Sequence, residues 1–125
     1  MLNQSGISKV TATSPTQILA NVELQESVGC VVAAALGTEV GTKKIAKAGT
    51  PVYIDLSNMM TPVVAGTEGN AANAVLLHDV DVTAGNANGT ALLFGFVNIN
   101  RLESDVQEKV TAGINTVGAV SFLKA

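Results

Sequence analysis

Residues 74–102, AVLLHDVDVTAGNANGTALLFGFVNINRL, are two long apolar segments joined by a Gly/Asn-rich connection, and they constrain the fold more than any other stretch. A β-strand turns successive side chains to opposite faces. In the first segment Leu76, His78, Val80 and Val82 therefore share one face, and Val75, Leu77, Asp79 and Asp81 the other. The second face begins apolar and ends acidic, as in a strand running from a core to a rim. Asn88-Gly89 is a tight-turn pair, because both residues tolerate the left-handed region. It predicts a β-hairpin whose connection, with Ala84 to Ala87 included, is longer than minimal. From Ala91 to Ile99 both faces are mainly apolar, with Leu93, Val97 and Ile99 on one and Leu92, Phe94 and Phe96 on the other. Such a strand is central in a sheet or covered by another subunit. Leu92, Phe94, Phe96 and Val97 are thus candidates for core or oligomer interface. Gly95, between two phenylalanines, leaves room for close backbone approach.

The remaining chain reads as shorter elements. Residues 1–20 are rich in Ser, Thr, Gln and Asn and show no sustained period, which predicts an extended N-terminal arm. Ile7, Val10, Ile18 and Leu19 give that arm something to bury on a partner. Val28 to Leu36 favours a strand through Val28, Val31 and Val32. Its Ala33-Ala34-Ala35-Leu36 continuation suits a helix equally, and Gly29 and Gly37 tip the reading towards a buried strand. Gly49 and Pro51 punctuate the segment Thr42 to Leu56. Val52, Ile54 and Leu56 then alternate with Tyr53, Asp55 and Ser57 as a half-buried strand. Met59 to Ala65 reads as a short returning strand, and Gly66 to Asn73 as a surface loop.

Towards the C-terminus, Ser104 and Gln107 have the spacing of a capping box, and Asp105 suits the first turn of a helix. Val106, Val110 and Ile114 form its apolar stripe. Gly113 weakens this helix, Gly118 lies just past its end, and Val120 to Leu123 reads as a terminal strand. The expected class is α+β: one predominantly β compact domain over residues 21–125, with one short C-terminal helix, preceded by the arm over 1–20.

Composition narrows the function classes. Hydrophobic residues make up 47% of the 125 residues, yet there is one Tyr, three Phe and no Trp. A core this poor in rings packs small side chains closely or is completed by neighbouring subunits. Only 14% of residues are charged, against roughly a quarter in an ordinary soluble domain, which fits a protein that hides surface in an assembly. The net charge of −3 argues against nucleic-acid binding, which needs a basic stripe. The longest apolar run, Val28 to Leu36, is far short of the roughly 20 residues that span a bilayer. The opening MLNQSGISKV lacks a basic segment followed by an apolar core, so no signal peptide is expected. Cys30 is the only cysteine, which excludes an internal disulfide and points to a reducing compartment.

No catalytic constellation is expected. His78, the sole histidine, lacks an orienting carboxylate, because Asp79 falls on the opposite face of a strand. No serine sits in a G-x-S-x-G setting. Asp79, Asp81, Asn86 and Asn88 place oxygen ligands around one loop, but their spacing is not that of an EF-hand, and such residues serve turns equally well. Neither metal nor cofactor is expected. Gly85 to Gly89 lacks the phosphate-loop pattern and enters a strand. Lys43, Lys44 and Lys47 read as solubilising residues on a loop or edge strand, or as contacts to an acidic patch, and Cys30 as a small buried hydrophobe.

Three blocks carry a family resemblance: Lys47-Ala48-Gly49-Thr50-Pro51-Val52, Ala74 through Thr83, and Phe96-Val97-Asn98-Ile99-Asn100-Arg101-Leu102. Together with the downstream helix and the strand ending at Phe122-Leu123, they resemble the small head-decoration and head-fibre proteins of tailed bacteriophages over residues 47–125. The resemblance implies a non-enzymatic structural protein on the outer surface of an icosahedral capsid, present in the host cytoplasm during assembly. It implies a homotrimer that braces the major capsid protein lattice, with an N-terminal arm (here Ile7, Val10, Ile18 and Leu19) contributing to attachment. A long fibre is not expected, since the chain has no added stalk. The competing expectation is a capsid-displayed module for host attachment or carbohydrate binding, for which Tyr53 is the only obvious polar aromatic.

Overall fold

The structure, a computed structural model, describes residues 17–110 and 119–124. In chain order the elements are β1 (Glu26–Val32), a 3-10 turn (Ala34–Leu36), β2 (Thr38–Val40), β3 (Lys43–Ala46), β4 (Pro51–Tyr53), β5 (Val64–Ala65), β6 (Ala74–Leu76), β7 (Val80–Asp81) and β8 (Ala87–Asn98). A second 3-10 turn (Ile99–Arg101), the helix α1 (Ser104–Val110) and β9 (Val120–Leu123) complete them. This is the β-dominated α+β domain expected, with one short helix.

β8 organises the fold. It lies between β1 and β6 in a sheet of order β1-β8-β6-β4-β5, and β9 joins β8 in parallel through Gly95↔Val120 to Asn98↔Leu123. A smaller antiparallel sheet has the order β2-β3-β7. The margins of the larger sheet meet. Val63, just before β5, bridges Val32 in parallel, and its amide donates to the Val31 carbonyl at 2.7 Å. The sheet therefore curls back on itself, which hides part of an otherwise exposed edge.

Two cores lie on opposite faces of this sheet. One gathers Ile18, Leu19, Val75, Leu77, Leu92, Val97, Leu102, Val106, Val110 and Val120. The other gathers Cys30, Val32, Ala46, Val52, Ile54, Val63, Ala74, Leu76, Val80, Val82 and Ala91. Strands covered on both faces must be apolar on both, and all three residues of β6 are buried.

The hairpin takes a different course from the one expected. β6 pairs antiparallel with β8 through Val75↔Leu92 and Leu76↔Ala91, but the strand breaks at Leu77 to Asp79. β7 crosses to the smaller sheet and pairs with β3. Face alternation survives the break, since Leu76, Val80 and Val82 enter one core while Val75 and Leu77 enter the other. The reversal is not at Asn88-Gly89. It falls at Val82 to Gly85, where Gly85 has φ 134° and its amide donates to the Val82 carbonyl at 3.2 Å. Asn88 and Gly89 lie inside β8, opposite Val31 and Cys30. A Cβ at Gly89 would meet Val32 Cγ2 at 2.8 Å and Val80 Cγ2 at 2.9 Å, so this glycine serves interstrand packing, not a turn.

Further along β8, Glu26 pairs with Phe94 but Ser27 pairs with Leu92, which leaves Leu93 as an extra residue in a β-bulge. The bulge resets the alternation. Leu92 and Val97, expected on opposite faces, lie in the same core, and Leu93 packs against the other.

Other expectations are corrected in detail. Val28 to Leu36 is a strand only to Val32, and the alanine run forms the first 3-10 turn. β4 stops at Tyr53, because Asp55 Oδ1 accepts from both the amide and the hydroxyl of Ser57, and Leu56 is left 61% exposed. Ser104 is the first helical residue, so it does not cap α1. The Gln107 side-chain amide donates to the Leu102 carbonyl instead, at 3.0 Å. Val106 and Val110 are buried as expected, while Ile114, Gly113 and Gly118 lie outside the described residues. The domain also begins earlier than residue 21. Asn98 donates to the Ile18 carbonyl and Ala20 to the Phe96 carbonyl, both at 2.8 Å, so the chain is already part of the sheet at Ile18.

Candidate assembly surface

The residues singled out on β8 divide into two pairs. Leu92 and Val97 are fully buried in the domain's own core. Phe94 is 43% exposed and Phe96 half-buried. Their rings meet edge to face, with centroids 6.4 Å apart and planes at 67°, a preferred aromatic geometry. The bulge at Leu93 and the positive φ of Gly95 (154°) direct this stretch of β8. A Cβ at Gly95 would lie 3.3 Å from Gln25 Cβ and 3.5 Å from the Leu24 carbonyl oxygen, so the segment before β1 runs close beside the two phenylalanines. Leu24 on that segment and Leu123 on β9 are also exposed. All three phenylalanines of the chain sit on the adjacent strands β8 and β9. Phe122, opposite Val97, packs against the internal core, so Phe94 is the exposed ring of the three.

The arm residues divide differently. Ile18 and Leu19, expected to be available for attachment, are buried in the same core as Leu92 and Val97. Leu19 bridges Val97, and the Arg101 guanidinium donates to the Gln17 carbonyl at 3.0 Å. Their apolar surface is used internally. Ile7 and Val10 lie outside the described residues.

The polar candidates have structural partners. Asp79 Oδ1 accepts from the Ala48 amide at 2.8 Å, Asn86 Oδ1 from the Ala34 amide at 2.9 Å, and Asp81 Oδ1 from the Thr83 amide at 2.9 Å. The Thr83 hydroxyl and amide, helped by the charge of Lys43, hold the Asp81 carboxyl below the usual carboxylate range. Asp55 is lowered likewise by Ser57. Asp81 and Asp55 are satisfied within their own turns, Asp79 and Asn86 accept from backbone amides remote along the chain, and no group of three or more metal-binding side chains occurs among the described residues. His78 is half-buried, with Nδ1 enclosed and unpartnered. Burial pushes the Cys30 thiol up, the reverse of an activated thiolate. Tyr53 is half-buried in β4.

Lys43 and Lys44 are not on an edge strand, whereas Lys47 lies in the loop after β3. β3 is the middle strand of its sheet, and the Lys44 amide donates to Thr83 Oγ1 at 2.9 Å. Lys47 is 13% exposed and lies 3.1 Å from both Glu103 Oε1 and Asp105 Oδ2. The hydrogen bonds that the Lys47 ammonium donates to Glu103 and Asp105 raise its pKa. Burial acts to raise that of Asp105, but the Lys47 contact and backbone donors outweigh it and leave the carboxyl lowered.

Sequence reasoning passed over Asn73 as part of a surface loop. Its side chain accepts from the Ile54 amide at 2.8 Å and donates to the Ile54 carbonyl at 2.9 Å, so it continues the β4 pairing where no strand remains. Asparagine can mimic a peptide group, but nothing in the local pattern specified Ile54 as its partner.

The three blocks that carry the resemblance come together in space. The Gly49 amide donates to the Leu76 carbonyl at 2.7 Å, and Leu76 N to the Thr50 carbonyl at 3.0 Å. Asp79 holds Ala48, and Gly49 stands against Leu102. No protein-family model and no curated protein matches the chain.

Proposed function

We propose that this chain is a structural virion protein that binds the outer surface of a phage capsid and stabilises the mature head, acting as a homotrimer. The observation that carries the reading is the exposed Phe94, set against Phe96 and beside the segment that bears the exposed Leu24, in a chain otherwise almost free of aromatics. Exposed aromatic clusters are typical anchors of protein interfaces. The low charge and the resemblance of the blocks at Lys47 to Val52, Ala74 to Thr83 and Phe96 to Leu102 support the same reading.

The mechanism is linkage. A protein that binds only the finished lattice lowers the free energy of that state by mass action. A cyclic oligomer presents its attachment patch several times, so modest contacts combine through effective concentration. Residues 1–16, with Ile7 and Val10, supply the arm in this scheme, while Ile18 and Leu19 anchor it to the domain.

Co-sedimentation with expanded, decoration-free capsids and with unexpanded procapsids tests the proposal. Saturable binding to expanded shells alone is the expected result, with Phe94→Ser weakening either binding or trimer formation. Binding to neither shell would overturn the capsid assignment for that lattice.

A further inference from the structure

We propose that Asn88 is a latent deamidation site, kept inert by the pairing of β8 with β1 and released when that ladder opens. Asn88 is the only asparagine in the chain followed by glycine, the dipeptide in which the next amide is least shielded by a side chain. Packing keeps the pair in place, since any Cβ at position 89 would press on Val32 and Val80. The close approach that seals the core around Gly89 thus fixes a chemically labile dipeptide in the middle of the fold.

The restraint lies in the backbone. The Asn88 side chain is exposed, so access does not protect it. Asn88 is extended opposite Val31, and Gly89 is opposite Cys30. Thr90 gives its carbonyl to the Leu77 amide on the β6 side, so strand alternation turns the Gly89 amide towards β1. With ψ near the roughly +135° of antiparallel strands, the Gly89 nitrogen points away from Asn88 Cγ. Ring closure requires this peptide to rotate out of the ladder.

Once it is free, the Gly89 nitrogen loses its proton to base and attacks Asn88 Cγ. The N–Cγ bond forms, the Cγ–Nδ2 bond breaks, and ammonia leaves with one proton regained from solvent. Water then opens the five-membered imide at either carbonyl and gives aspartate or isoaspartate, with no change of oxidation state. Isoaspartate inserts an extra carbon into the main chain, which misaligns β8 against β1 on either side of the position. A chain that has opened is thereby marked and re-forms its ladder poorly. This proposal does not depend on capsid binding.

The test is peptide mapping by mass spectrometry after incubation of the full chain at mildly alkaline pH, in buffer and in unfolding urea. In urea, Asn88 is expected to convert ahead of every other asparagine, including Asn86. In buffer its conversion is expected to be slower by more than about tenfold, because it proceeds only through the opened fraction. Val31→Gly, which loosens β1 opposite Asn88 without touching the reactive pair, is expected to accelerate conversion in buffer. Equal rates in buffer and urea, no preference for Asn88 over Asn86 in urea, or a folded Val31→Gly variant with faster amide exchange in β1 but unchanged Asn88 conversion would each overturn the proposal.

Discussion

The Lys47 ammonium lies 3.1 Å from Asp105 Oδ2 and 3.1 Å from Glu103 Oε1, and so ties the turn before β4 to the start of α1. Both carboxylates remain partly exposed, so the pair is expected to contribute about 1 kcal/mol, near the upper end for accessible ion pairs. Its signature is pH dependence. The Asp105 pKa is lowered on folding, so its contribution is present above the unfolded carboxylate value and is lost as pH falls through the folded one. The Lys47 pKa is raised, so its contribution is present below the unfolded lysine value and is lost as pH rises through the folded one. Lys47→Met is expected to flatten both limbs of a urea-midpoint profile taken from acid to alkaline pH. A profile that keeps its wild-type shape would separate the pair from stability.

Gly49 combines φ 90° with a position against the Leu102 side chain. Gly49→Ala therefore meets both backbone strain and overlap, and about 1–3 kcal/mol of destabilisation is expected. Only the overlap involves Leu102. Adding Leu102→Ala should cost less in the Gly49→Ala background than in wild type, with a coupling of at least about 0.5 kcal/mol. Denaturation of the four proteins in this cycle measures it.

Truncation distinguishes the arm from the domain. Removal of residues 1–16 is expected to leave the thermal midpoint close to that of the full chain and to reduce capsid occupancy. Removal of residues 1–20 also strips Ile18 and Leu19 from the core, and a loss of several kcal/mol is expected, since each large buried side chain is worth about 2–5 kcal/mol. Equal stability of the two truncations would contradict the placement of Ile18 and Leu19.

Leu92 and Phe94 should separate folding from assembly. Leu92→Ala empties a fully buried site and is expected to cost about 2–5 kcal/mol, and Val97→Asp is expected to prevent folding by burying a charge. Phe94→Ser, at a position 43% exposed, should shift the urea midpoint little while changing the sedimentation-velocity profile or capsid binding. A large stability loss with unchanged assembly would reassign Phe94 to the core.

Asn73→Ala removes both hydrogen bonds to Ile54. A cost of about 1–3 kcal/mol is expected, since the Ile54 backbone groups lose their partners near the buried core. Asn73→Asp restores only the acceptor and should recover part of that loss, as read by chemical denaturation.

Local patterns legible along the chain determined a good deal of this protein. Valine-rich segments placed β1, β4 and β6, Pro51 and Gly49 marked the turn before β4, and the apolar content of Ala91 to Ile99 marked that part of β8 as a strand either central in a sheet or covered by another subunit. These are short-range consequences of side-chain periodicity and backbone freedom. Long-range contact decided the rest. Asn88-Gly89 has turn chemistry, yet Val32 and Val80 need a glycine at that point of the ladder, so the pair was drawn into β8 and the reversal fell at Gly85. A single extra residue at Leu93 moved Val97 onto the same face as Leu92 and turned Phe94 outward, because strand alternation has period two and any bulge inverts it. Ile18 and Leu19 carry no periodic signal, and Lys47 resembles any surface lysine until Asp105 and Glu103, more than fifty residues away, are folded against it. The sequence alone set the main strands of the larger sheet in outline. Only tertiary packing decided which faces are buried, because that depends on partners remote along the chain.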